Sequence, residues 1–276
     1  MIVDSHFHAW TEDCPLVAER GYKPLAAKSI DTCLEIHDAH GVTHGVLVQP
    51  SFLGFDNSYI LDCLRQHPDR LRASVVVGPD LDEPLLEEMD ELGVVGLRLN
   101  LISTKTVLNH QTHHIFPLYE WAAAHNWHVE VFADGAMWVD VAARLLPFGV
   151  TIVVDHFGMP NAAMDPGDIG HKAILKAAES GQVWAKFSGF YRPDVPNLGP
   201  YAARLLEVCG PDRIVWASDF PWTGHETLHR FQTTLDNLSK WVDSLPLEQK
   251  VQLRRSKILH KKMAEAYLPS SIVHRK

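Results

Sequence analysis

Histidine and aspartate side chains stand at the ends of several apolar stretches of this sequence. His6 and His8 close the first stretch, and His156 and Asp219 close two later ones, each shortly before a proline. Alternation along a strand places Asp4, His6 and His8 on one face, so we expect both imidazoles to point to the mouth of the fold. Two such histidines alone also fit a strand end on the surface, and an aspartate before proline fits a turn or helix cap. Three strand ends of this kind favour a shared site, and imidazoles that converge there suit a divalent metal or an anionic oxygen.

A charged residue inside the fourth apolar stretch also needs a partner. Arg98 lies between leucines, and Gly96 leaves space on the same face of the predicted strand. Burying a guanidinium is costly without an anion. Arg98 therefore either clamps a substrate carboxylate or pairs with Glu130 or Asp219 across the fold. Arg192, in the loop after the seventh stretch, is a second candidate clamp.

Four further polar residues are predicted to contact substrate. Gln49 and Ser51 end the second stretch, and Tyr191 lies beside Arg192 after the seventh. Glu130 lies inside the fifth stretch, where it could bind a metal, act as a base or neutralise an arginine.

Strand patterns alternate with helix patterns along the whole chain. Apolar, strand-like stretches cover residues 2–8, 45–50, 71–77, 94–100, 127–132, 151–156, 183–188 and 213–219. Helical patterns cover residues 32–39, 82–92, 116–125, 139–146, 174–180, 201–209, 226–245 and 247–268. This order predicts an α/β fold, a (β/α)8 TIM barrel that forms one domain over residues 1–276. The alternative is a doubly wound open sheet, but no glycine-rich phosphate loop follows the first strand.

Composition narrows the class of protein. The 276 residues carry a net charge of -9, which disfavours nucleic acid as a partner. No apolar stretch approaches the length of a membrane span, and the four cysteines form no CxxC pair. These features predict a cytoplasmic protein with reduced thiols. Most of the 17 histidines, among them the group at His110, His113 and His114, are expected to be solvated or to pack structurally.

The motifs together resemble the amidohydrolase superfamily, and most closely its lactonase branch, which includes 2-pyrone-4,6-dicarboxylate lactonases and sugar lactonases. The resemblance extends over nearly the whole chain. Its motifs are Val3-Asp4-Ser5-His6-Phe7-His8, Val48-Gln49-Pro50-Ser51, Gly93-Val94-Val95-Gly96-Leu97-Arg98-Leu99-Asn100, Asp155-His156-Phe157-Gly158-Met159-Pro160 and Ser218-Asp219-Phe220-Pro221-Trp222.

The resemblance implies a barrel that hydrolyses a small anionic lactone. Asp219 would be the general base that deprotonates water, and the histidines would polarise the lactone carbonyl, directly or through a metal. Arg98 would hold a substrate carboxylate. His6, His8, His156 and Asp219 would hold one zinc or manganese ion, although members of this branch work with or without a metal. Whether the protein forms a homo-oligomer is left open.

Departures from the family pattern bear on the alternatives. Strands four and five carry no lysine, which disfavours a two-metal site, and residues 186–192 lack the histidine of decarboxylase relatives. Lys105 stands where the pyrone branch has a second arginine, which weakens the case for a dicarboxylate. A single-metal decarboxylase or C–C hydrolase and a non-catalytic ligand-binding barrel are the competing hypotheses.

Overall fold

Eight parallel strands form one sheet whose order follows the sequence, from β1 to β8. The computed structural model describes residues 2–18, 20–78, 83–102, 115–162, 167–227 and 229–244, with backbone only for 241–244. The strands are β1 (Val3–Phe7), β2 (His44–Val48), β3 (Leu71–Val75), β4 (Val94–Asn100), β5 (His128–Phe132), β6 (Thr151–Val154), β7 (Val183–Phe187) and β8 (Ile214–Trp216). The helices are α1 (Ile30–Ala39), α2 (Ser58–Gln66), α3 (Glu83–Leu92), α4 (Phe116–Ala124), α5 (Met137–Leu145), α6 (Ile169–Ala178), α7 (Gly199–Cys209) and α8 (Phe231–Ser244).

The sheet closes on itself where β1 meets the segment after β8. The Asp219 amide donates to the His6 carbonyl at 2.9 Å, and the His8 amide donates to the Phe220 carbonyl at 2.8 Å. The predicted (β/α)8 barrel is therefore confirmed. No helix among the described residues is long and apolar enough to cross a bilayer.

Several predicted boundaries need correction. The sixth and eighth strands end at Val154 and Trp216, so His156 and Asp219 lie beyond the strands, in turns where their φ angles are 49° and 58°. Helix α2 was not singled out in the sequence, and α8 begins five residues later than predicted, at Phe231. The predicted helix 247–268, the loop histidines 110, 113 and 114, and Lys105 fall outside the described residues.

A bulge in β1 changes the face on which Asp4 lies. The pairing of β1 with β2 shifts register between Asp4 and Phe7. Val3 consequently packs in a small interior cluster of valines, whereas Asp4 accepts hydrogen bonds from Ser218 and His37 on the other side of the strand. The prediction that Asp4 shares a face with the site histidines is wrong, because one extra residue reverses the alternation.

The two faces of the sheet pack against different kinds of side chain. Between the strands and the helices lies the main apolar core. Inside the barrel, a small cluster of valines packs beside a set of polar side chains. These polar side chains, all buried, include Ser74, Arg98, His128, Glu130 and Lys186. Gly96 makes room for the His128 ring, since a Cβ there would lie 2.4 Å from it.

Asp4 ties β1 to the segment after β8 and should be important for stability. Its carboxylate accepts from the Ser218 amide at 2.9 Å, the Ser218 hydroxyl at 2.5 Å and His37 Nε2 at 3.1 Å. Asp4→Ala should lower the free energy of unfolding by at least about 3 kcal/mol, because buried donors lose their acceptor. Urea denaturation measures this. Asp62→Ala, which removes an exposed ion pair with Arg65, should cost less than about 1 kcal/mol. Equal losses in the two variants would contradict this role.

Candidate active site

Three imidazoles surround the carboxylate of Asp219. Its Oδ1 lies 3.8 Å from His6 Nε2 and 3.7 Å from His8 Nε2, and its Oδ2 lies 3.8 Å from His156 Nε2. All four residues are buried. The structure thus brings together the residues predicted as the catalytic set, although they come from both ends and the middle of the chain.

The Nδ1 atoms of His8 and His156 form hydrogen bonds to neighbouring residues. His8 Nδ1 is 2.7 Å from the Val48 carbonyl, which can only accept, so Nδ1 carries the ring proton and Nε2 offers a lone pair. His156 Nδ1 lies 2.9 Å from the Ser188 hydroxyl. His6 Nε2 lies 3.2 Å from the bare His8 Nε2, so His6 is the donor in that pair.

Packing from the loop after β7 fixes His156 more tightly. Gly189 adopts φ 54°, and a Cβ at this position would lie 2.6 Å from His156 Nδ1. Only a residue without a side chain therefore fits between this loop and the imidazole.

Two side chains from the same loop bind Asp219. The Tyr191 hydroxyl donates to Asp219 Oδ2 at 2.6 Å, and Arg192 Nε donates to the same oxygen at 2.5 Å. Burial opposes ionisation of Asp219, but nearby positive charge, chiefly that of the Arg192 guanidinium, outweighs it, so the pKa of Asp219 falls well below its ordinary value. Burial, followed by the charge of Asp219, raises the pKa of Tyr191 well above its ordinary value. Asp219 is therefore an ionised carboxylate at neutral pH.

Burial also determines the charge of the histidines. It lowers the pKa of His156 to about 3 and that of His8 well below its ordinary value, so both rings are neutral. His6 differs. Burial and the charge of Lys186 lower its pKa, but Asp155 and Glu130 outweigh them and raise it.

Beneath His6 lies a cluster of buried charges that the sequence analysis did not find. Lys186 Nζ is 2.5 Å from Glu130 Oε2, 3.3 Å from Asp155 Oδ1 and 3.1 Å from His6 Nδ1. Glu130 thus pairs with a lysine and not with Arg98, and it does not line the cavity above, which argues against its predicted contact with substrate. The signal for this cluster in the sequence is a lysine flanked by apolar residues on strand seven, Ala185-Lys186-Phe187.

A cavity opens above the imidazoles at the carboxyl ends of the strands. Its empty space is about 570 Å³, including the part open to solvent. It is lined by His8, Tyr22, Pro50, Ser51, Phe52, Arg98, Asn100, Phe132, His156, Arg192, Asp219, Thr223 and Gly224. This is the usual position of an active site in a barrel of this type.

Arg98 is one of the residues that line this cavity. Its Nη1 donates to the Gln49 carbonyl at 3.1 Å, and its buried Nε has no hydrogen-bond partner among the described residues. Neither pairing considered for Arg98, with Glu130 or with Asp219, occurs among the ion pairs of the described residues. The buried hydroxyl of Tyr22, from the loop after β1, likewise has no hydrogen-bond partner in the described part of the chain. Nothing in the spacing of Tyr22 along the sequence marked it as a lining residue.

Three other residues predicted to contact substrate, Ser51, Gln49 and Arg192, differ in their position relative to the cavity. Ser51 lines the cavity, as expected of a substrate contact. The Gln49 side chain instead donates to the Asp56 carbonyl at 2.6 Å and lies outside the lining, because its amide holds the loop after β2. Arg192 lines the cavity, but its guanidinium is engaged by Asp219 and Thr223.

The residues around Asp219 are suitable ligands for one divalent cation. His6, His8 and Asp219 place one ligand atom each within 4.8 Å of one another, and no described residue forms a hydrogen bond with Asp219 Oδ1. His156 falls in a second group with His6 and Asp155. Imidazole nitrogen and carboxylate oxygen suit zinc and also manganese.

Comparison with known families agrees with this geometry. Residues 3–256 match the family model described as Amidohydrolase. The chain belongs to this family. The family predicted from the motifs is thereby confirmed, and the three-histidine cluster with Asp219 is the candidate active site of this amidohydrolase.

Its relatives have names that refer to lactones. The 4-sulfomuconolactone hydrolase of Hydrogenophaga intermedia is 28% identical over 256 residues, which cover 89% of this chain and 83% of the relative. A solved structure from Pseudomonas putida, described as a 2-pyrone-4,6-dicarboxylic acid hydrolase, is 32% identical with a TM-score of 0.83 and 96% coverage of each chain. A similarly described protein from Acinetobacter baumannii, with citric acid bound, is 28% identical with a TM-score of 0.83, covering 96% of this chain and 98% of that one.

Zinc binding tests the proposed ligands without reference to turnover. Isothermal titration of the metal-free protein with Zn²⁺ should show one site, and His8→Ala should weaken it by more than about 100-fold, since a direct ligand is lost. His225→Ala, outside both ligand groups, should bind zinc like the unmodified protein. Identical affinity in the two variants would contradict the assignment.

Proposed function

We propose that this amidohydrolase hydrolyses a small lactone that carries a carboxylate group. The observation that carries the proposal is the ionised Asp219 among three imidazoles at the wall of the cavity, with the Arg98 guanidinium in the wall of the same cavity. The names of the relatives support the same reaction class, since they describe hydrolases of sulfomuconolactone and pyrone dicarboxylate.

Asp219 would act as the base for water. Its Oδ2 is occupied by Tyr191 and Arg192, whereas Oδ1 has no hydrogen-bond partner. Oδ1 is therefore the oxygen that can accept a proton from a water placed beside the lactone carbonyl. The low pKa makes Asp219 a weak base, so proton transfer would accompany attack on the carbonyl and would not precede it. The proton would then pass from Oδ1 to the leaving oxygen as the ring opens.

The histidines would stabilise the oxygen of the lactone carbonyl. The Nε2 atoms of His6 and His156 face Asp219, and the ring proton on His6 Nε2 can be donated to an oxyanion. A zinc or manganese ion held by His6, His8 and Asp219 would, when bound, polarise the carbonyl and lower the pKa of water. His8 Nδ1 remains bound to Val48, which fixes the direction of its lone pair.

Arg98 would hold the substrate carboxylate. Its buried side chain lines the cavity and forms no ion pair among the described residues, and a buried guanidinium is costly unless an anion pairs with it. Arg192 is already paired with Asp219, so its donors serve the base more directly than the substrate. A charge-assisted hydrogen bond to Arg98 would orient the lactone with its carbonyl toward the imidazoles.

Loss of the base should abolish turnover. Asp219→Asn keeps the shape of the side chain and tolerates the left-handed backbone, and it should reduce kcat by at least about 10³-fold on lactones that the unmodified enzyme opens. Acid release from a panel of neutral and carboxylate-bearing lactones measures this. Asp62→Asn, on the exposed surface, serves as the matched control. An Asp219→Asn enzyme with undiminished kcat would exclude the proposed base.

Loss of Arg98 should discriminate between substrates. Arg98→Met should raise KM for a carboxylate-bearing lactone by about 10- to 100-fold, the equivalent of one charge-assisted hydrogen bond, and should leave KM for the matching neutral ester almost unchanged. The same panel supplies both values. An equal change for the two substrates would show that Arg98 does not recognise the carboxylate.

A further inference from the structure

The buried lysine beneath the active site has no task in the chemistry described so far. Lys186 lies on β7, and its relative exposure is only 1%. Lysine is among the residues least often buried, because removing its ammonium from water is costly unless it is paired. Lys186 does not line the cavity, so it does not contact substrate there. We therefore look for the role of this buried ammonium in its contacts with neighbouring residues.

The contacts of Lys186 converge on one side of the His6 ring. Its Nζ is 3.1 Å from His6 Nδ1, within hydrogen-bond distance. Glu130 Oε1 lies 3.0 Å and Asp155 Oδ1 lies 3.3 Å from the same nitrogen. Lys186 also forms ion pairs with both carboxylates, so it links the two acidic side chains that lie next to His6 Nδ1.

These contacts reach His6 from three consecutive strands. Glu130 is on β5, Asp155 follows β6, and Lys186 is on β7, whereas His6 is on β1. The Lys186 side chain therefore connects residues of β5 and β6 to the histidine that faces Asp219. Without the ammonium, two buried carboxylates would be left facing each other and the ring, and they would separate or draw in water.

We propose that Lys186 is a positioning residue that holds the His6 ring, through Nδ1, in the orientation that directs Nε2 at Asp219. Through its ion pairs, the ammonium keeps the carboxylates of Glu130 and Asp155 next to Nδ1. The effect on turnover rests on the proposed lactone hydrolysis, whereas the effect on the His6 ring does not. A side chain that only balances charge would have no influence on the ring orientation.

Two variants separate positioning from charge balance. Lys186→Met removes the ammonium but keeps an unbranched side chain, and Lys186→Arg keeps the charge but replaces the compact ammonium by a planar fork. Both should lower kcat about 10- to 100-fold, the usual effect of losing a group that orients a ligand, with KM within about threefold of the unmodified enzyme. Lys176→Met, which removes an exposed ion pair, is the control. If Lys186→Met does not fold, Lys186→Arg still tests the proposal.

The second readout is independent of any substrate. Long-range ¹H–¹⁵N spectra of the metal-free protein report both ring nitrogens of each histidine, and His6→Gln identifies the His6 signals. We expect the His6 signals to shift in Lys186→Met and Lys186→Arg and to stay in place in Lys176→Met. Unchanged His6 signals in the folded variants, or a Lys186→Arg enzyme with kcat within threefold of normal, would overturn the proposal. If the unmodified enzyme opens no lactone, the proposed function fails while the spectra still decide the role of Lys186.

Discussion

The closure of the barrel between β1 and the segment after β8 is the constraint on which the site depends. The amide of Asp219 binds the carbonyl of His6, and the amide of His8 binds the carbonyl of Phe220. The same hydrogen bonds that seal the cylinder thus set a carboxylate beside two imidazoles, although more than two hundred residues separate them along the chain. Asp4 reinforces this seam from outside, through Ser218. Stability and chemistry therefore share one set of contacts.

Buried charge inside the barrel is arranged in two groups. Lys186, Glu130 and Asp155 lie on one side of His6, and Asp219 lies on the other side, among the imidazoles at the wall of the cavity. In each group the ionised side chains are paired, as buried charges must be. Arg98 is the exception among the described residues, because it lines the cavity and forms no ion pair. Its guanidinium therefore lies in the wall of the cavity, where an anionic ligand would pair with it.

Much of this arrangement could be predicted from the sequence. The alternation of apolar stretches with helical patterns predicted the barrel, and polar residues that end apolar stretches predicted His6, His8, His156 and Asp219 as neighbours. Contacts that depend on register could not be predicted. The bulge that turns Asp4 outward leaves no mark in the pattern, because any sequence with the same polarity could pair without it. The engagement of Arg192 by Asp219 and of Gln49 by its own loop likewise depends on loop geometry, which residue types do not determine.

The contact between Gly189 and His156 has a consequence for how such a site can diversify. A loop position would ordinarily accept many residues, but any side chain at 189 would displace the imidazole. The loop after β7, which also supplies Tyr191 and Arg192 to Asp219, is therefore as restricted as the interior of the barrel. Tyr22 and Ser51, in the loops after β1 and β2, also line the cavity, but among the described residues no hydrogen bond joins their side chains to the imidazoles. Changes of substrate preference would arise in those loops, while the hydrolytic machinery stayed the same.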